Sequence, residues 1–98
     1  MTQDVNTTLN ERAKTHGSFI DNGRIIQMLR YDMRHEGKNW DELTAYQKEA
    51  LEMIQHKIGR ILSGNPNEPD HWRDIAGYAT LVENILTTGQ SHTGNNPP

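Results

Sequence analysis

The 98-residue chain has no cysteine. That excludes a disulfide framework, a thiol nucleophile, a thiolate zinc site and an iron–sulfur cluster. Aromatic residues are scarce, with one Phe, two Trp and three Tyr, and only 33% of the chain is apolar. A domain of this size with so little apolar material has a thin core, and part of its stability is expected from subunit contacts. No apolar run approaches the roughly 20 residues needed to cross a membrane. The opening Met1-Thr-Gln-Asp-Val-Asn6 has neither the basic nor the apolar region of a signal peptide. Ten Lys and Arg stand against 13 Asp and Glu, for a net charge of −3 and no basic run. This gives no attraction to duplex nucleic acid or to an anionic membrane surface. The expectation is a cytoplasmic domain, without a membrane or duplex partner, whose function rests on a local site.

What is present reads as helices. Residues 1–6 are expected to be a disordered N-terminus, 7–88 a single helical domain, and 89–98 a disordered tail of turn-forming residues. Thr8 with Glu11 fits a capping box for a short helix that stops near Gly17. Ser18 with Asp21 opens a second helix from Phe19 to about Arg34, with Ile26, Leu29 and Met33 at helical spacing and Gly37 at its end. Trp40 anchors a connector. Thr44 with Gln47 starts a third helix that runs to Leu62 or Ser63, with the stripe Leu51, Ile54, Ile58, Ile61 and Leu62. Gly64 stops it. Pro69 suits the first position of a fourth helix ending near Thr87, before Gly89. Its first stripe is Trp72, Ile75, Ala79, Val82 and Leu86; its second face carries His71, Asp74 and Tyr78, then Leu81 and Ile85. The fold class is therefore all-α: a small antiparallel bundle with a long C-terminal hairpin, expected to form a homo-oligomer.

Two constellations carry chemistry. Glu49 and Glu52 form an ExxE pair on the third helix, and His71 and Asp74 an HxxD pair on the fourth. All-α nucleotide pyrophosphatases hold magnesium with ExxE and ExxD pairs, and here His71 replaces a hard oxygen ligand. The short loop makes the two helices an antiparallel hairpin. Positions equidistant from its centre, near residue 66, stand side by side, so Gly59 lies level with Asp74. The two pairs are then offset by about ten residues, roughly 15 Å. A magnesium site from Glu49, Glu52 and Asp74 would have to be completed between subunits. The same register gathers His56, Lys57 and Arg60 with Asp70, His71, Asp74 and Tyr78, and with Trp72 nearby. Arg and Lys suit phosphates, Trp and Tyr can stack on a base, and Asp can accept from base or ribose donors. The plain alternative is an Arg60–Asp74 or Lys57–Asp70 ion pair tying the hairpin, with Trp72 in the core. Gly59 and Gly77 border the cluster, fitting either close approach of a ligand or close helix packing.

The strings His56-Lys57-Ile58-Gly59-Arg60-Ile61-Leu62-Ser63-Gly64 and Asp70-His71-Trp72-Arg73-Asp74-Ile75-Ala76-Gly77-Tyr78, with the upstream element from Arg12 through His16-Gly17-Ser18-Phe19 to Asn22, resemble a small phage-encoded all-α domain of unknown function. The likeness covers about residues 9–87. More distantly they are similar to MazG-like pyrophosphatases and phage nucleotide-modification domains. The resemblance implies nucleotide handling, oligomerisation and motif positions at His56, Lys57, Arg60, Asp70, Trp72, Asp74, Gly77 and Tyr78. It also implies that such a protein could sequester a nucleotide signal of anti-phage immunity.

Three functions follow. The leading one is a nucleotide-binding protein that holds its ligand without hydrolysis, using His56, Lys57, Arg60, Asp70, His71, Trp72, Asp74 and Tyr78 and needing no cofactor. The second is a magnesium-dependent nucleoside triphosphate diphosphatase with Glu49, Glu52 and Asp74 as ligands. The third is a protein-interaction domain that binds a host factor through the Leu81/Ile85 face.

Overall fold

The computed structural model describes the backbone of residues 2–89 and the side chains from Asp4 onward. Four α-helices are present among the described residues: α1 (Thr2–His16), α2 (Phe19–Glu36), α3 (Ala45–Ser63) and α4 (Pro69–Thr88). A single 3-10 turn, Trp40–Glu42, joins α2 to α3. No strand occurs among the described residues. The expected tail falls outside them from residue 90 on.

Local chemistry explains most of the boundaries. The Ser18 hydroxyl accepts from the Asp21 amide at 3.0 Å and starts α2. Thr44 and Gln47 form the reciprocal capping box at the start of α3. Pro69 occupies the first turn of α4, where its missing N–H costs nothing, and Gly89 closes the helix in a left-handed conformation.

The first helix departs from expectation. It begins at Thr2, so residues 2–6 are helical, and Thr8 is not a cap. The Thr8 hydroxyl donates to the Asp4 carbonyl one turn back, the usual arrangement for a threonine inside a helix.

The packing is centred on α3. On one flank α2 lies against it: Ile26 and Asn22 face Gly59, Gln55 reaches Met33, and Glu52 accepts from Arg34. On the other flank α4 runs antiparallel, and Lys57 reaches Asp74 at 3.0 Å. That hairpin register is within a residue or two of the one read from the loop centre. Helix α1 touches the body only near its C-terminal end, and Asp4 to Lys14 are exposed.

The face of α4 that packs is rotated from the expected stripe. His71, Ile75, Tyr78, Val82 and Ile85 turn inward, while Trp72 is 55% exposed and Leu86 is also exposed. Trp72 is therefore not a core residue. Its indole N–H donates to the Pro66 carbonyl at 2.9 Å and pins the α3–α4 loop.

The joint between α1 and the α3–α4 corner is made of backbone. A Cβ on Gly64 would collide with the Thr15 carbonyl oxygen. Gly17 adopts φ +86° and faces the Ser63 carbonyl. Gly59 is likewise a packing glycine, against Ile26 and not against the polar cluster, whereas Gly77 has no neighbour within 4 Å of where its Cβ would be. Two substitutions separate these roles. Gly64→Ala should destabilise the fold by about 1–3 kcal/mol through overpacking. Gly77→Ala, in open helix, should stabilise it by up to about 1 kcal/mol. Chemical denaturation of both variants measures the difference.

Candidate ligand cavity

A cavity of about 560 Å³ opens between α1 and the α3–α4 hairpin. That volume lies within the range of small-molecule sites. Helix α1 contributes Thr7, Thr8, Glu11, Arg12, Thr15 and His16; α3 contributes Lys57 and Arg60; α4 and its cap contribute Glu68, Asp70, His71 and Asp74.

The back of the cavity is fixed by the end of α1. The last carbonyls of a helix lack intrahelical partners. The Thr15 carbonyl accepts from the Asn65 amide at 2.8 Å and from His71 Nε2 at 3.0 Å. A carbonyl can only accept, so Nε2 of His71 carries a proton. The His16 carbonyl accepts from Asn22 and, at 3.4 Å, from Ser63. His71 is 2% exposed, and its ring lies 5.4 Å from that of His16.

The charges divide into paired and unpaired groups. Lys57 is 9% exposed, and its ammonium is matched by Asp74. Hydrogen bonding from Lys57 holds the Asp74 carboxyl below the usual carboxylate range. Asp70 pairs with Arg73 at 2.6 Å in an exposed contact of little energetic weight. The ion pair across the hairpin is thus Lys57–Asp74, in place of the Arg60–Asp74 or Lys57–Asp70 pair expected from sequence. Arg60 is half-buried on the cavity wall, and no carboxylate pairs with it or with Arg12 among the described residues. Burial, and then the positive fields of Arg60, His71, Lys57 and Arg12, hold the His16 pKa below its ordinary value.

Five of the eight expected binding residues line this cavity: Lys57, Arg60, Asp70, His71 and Asp74. Three do not. His56 is half-buried outside it, near Arg30 of α2. Trp72 lies on the outer surface, and Tyr78 lines an apolar groove with Tyr46, Glu49 and Ile85. The whole α1 wall was absent from the expected set. The upstream string Arg12 and His16–Asn22, singled out for its resemblance, was the available signal for it. The alternative magnesium ligands stand apart: Glu52 is paired with Arg34, Glu49 borders the Tyr78 groove, and Asp74 is held by Lys57. Among the described residues no three His, Asp or Glu side chains are grouped to hold a metal ion.

The histidines give a pH dependence with a definite sign. Burial lowers the pKa of both His16 and His56 in the folded chain. Below their unfolded value, about 6.5, the unfolded chain binds more protons than the folded one, so stability falls as pH drops through that region. Thermal melts should show Tm decreasing on acidification from neutral pH, with a shallower slope in His16→Gln.

No curated protein and no solved structure matches the chain. A family model does match, over residues 1–86, nearly the whole described fold and every residue of the cavity. The chain belongs to the family described as a domain of unknown function, DUF6378.

Proposed function

We propose that the cavity between α1 and the α3–α4 hairpin binds a phosphate-bearing small molecule of the nucleotide class and holds it without turnover. The observation that carries this reading is Arg60. Arg60 is half-buried in the wall of a ligand-sized cavity and has no carboxylate partner among the described residues, while Lys57, Arg12 and His16 stand around the same space. A planar guanidinium donates two parallel hydrogen bonds to a phosphate.

One acid of the cavity, Asp74, lies in the field of Arg60 and is engaged by Lys57, which makes it a poor general base. The hydroxyls of Thr7, Thr8 and Thr15 and the carboxylates of Glu11 and Glu68 offer partners for sugar or base donors.

Titration calorimetry with nucleoside mono-, di- and triphosphates and with cyclic dinucleotides tests the proposal. The cyclic compounds are included because the resemblance to phage domains implies a signalling ligand. At least one compound should bind, and Arg60→Ala should weaken it by roughly tenfold or more, the loss of a charge-assisted hydrogen bond worth about 1.5–3 kcal/mol. Arg60→Lys should recover only part of that loss. Absence of binding across the panel, or equal affinity in Arg60→Ala, overturns the reading.

A further inference from the structure

We propose that the open trough along α3, floored by Leu51, Ile54, Ile58, Ile61 and Leu62, seats a second copy of this chain packed about a two-fold axis. The trough exists because α2 and α4 occupy opposite flanks of α3 and make no substantial contact with each other. The strongest apolar stripe of the sequence is left between them. None of its five residues is buried: Ile54, Ile58 and Ile61 are half-covered, Leu51 is 37% exposed and Leu62 is 65% exposed.

The stripe expected on α4 borders the same trough. In the hairpin register Leu51 stands level with Val82, Ile54 with Ala79, Ile58 with Ile75, and Ile61 with Trp72. The first two of these pairs share one groove with Leu43 and Gln47. That groove contains no charged residue. It continues past Leu51 and Leu43 to Met33 and Trp40.

Two arguments select a second copy as the occupant. The first is the shortage of core. Among apolar side chains of the described residues only Ile26 and Ala50 are buried, and neither completely. Every copy carries that shortage, so whatever closes it must be present wherever the chain folds, and another copy always is. The second is self-compatibility. A two-fold interface sets one patch against itself. A charged patch would repel its own image, and the groove shared by Leu51, Ile54, Ala79 and Val82 carries no charge, with Lys38 only at its far extension. Three helices spaced 8–10 Å apart over about 20 Å of length present on the order of 500 Å² of flat face. Two hairpins meeting there complete a four-helix packing.

Sedimentation equilibrium of the intact chain should give a mass at least twice the 11.2 kDa of one chain. Leu51→Glu with Leu62→Glu, at partly exposed positions, should lower that mass while the helical circular dichroism persists. Ile20→Glu, on the outer face of α2 and 80% exposed, should leave it unchanged. The absence of native cysteine permits a check that needs no charged variant. Oxidised Leu51→Cys or Leu62→Cys protein should run as a covalent dimer, and Ile20→Cys should not. A monomeric wild type, an assembly that survives the paired Glu substitutions, or cross-linking at Ile20 alone overturns the proposal.

Discussion

The carbonyl oxygen of Thr15 is the point on which the site depends. It lies in the last turn of α1, where the helix leaves its carbonyls without partners. Two donors from the far end of the hairpin satisfy it: the Asn65 amide and the ring of His71. The arrangement joins the first helix to the third and fourth by main-chain geometry, with almost no apolar contact. Gly17 and Gly64 are required because no side chain fits between the two backbones. Without this joint α1 has nothing else to lie against, and the cavity has no second wall.

The same joint explains an unusual distribution of burial. The most enclosed side chains, His71 and Gln55, are polar. Lys57 is nearly as enclosed, with a single carboxylate beside its ammonium. Buried polar groups are costly unless they are paired. His71 meets that condition through Thr15, Lys57 through Asp74, and Gln55 in part through Met33. The fold therefore places specific polar contacts where a larger domain would place leucines, and most of its leucines remain exposed.

Most of the element boundaries were legible in the sequence, because Ser18, Thr44, Pro69 and the glycines near the helix ends act over three or four residues. The hairpin register was legible as well, since a short loop leaves little freedom. What could not be read is the face that α4 presents. Periodicity favoured Trp72 as core, but the helix is rotated so that its neighbour His71 turns inward, and the partner responsible lies 56 residues away. The α1 wall was missed for the same reason: its polar residues look solvated until the Gly17–Gly64 contact brings them over the hairpin. The hairpin side of the candidate site, Lys57, Arg60, Asp70, His71 and Asp74, was thus visible from spacing, and the α1 side depended on one long-range joint.

The α2–α3–α4 layers bear on the order in which the chain assembles. Helix α2 packs on the next helix along the chain, and so does α3, so each of those contacts closes only a short loop. The bonds from Ser63 to His16 and from His71 to Thr15 span 47 and 56 residues. Closing such loops costs more entropy, and it returns little apolar burial in compensation. By that reckoning the cavity is the last part of the protein to form and the first to open. A chain with its helical layers already in place can therefore lack the cavity altogether.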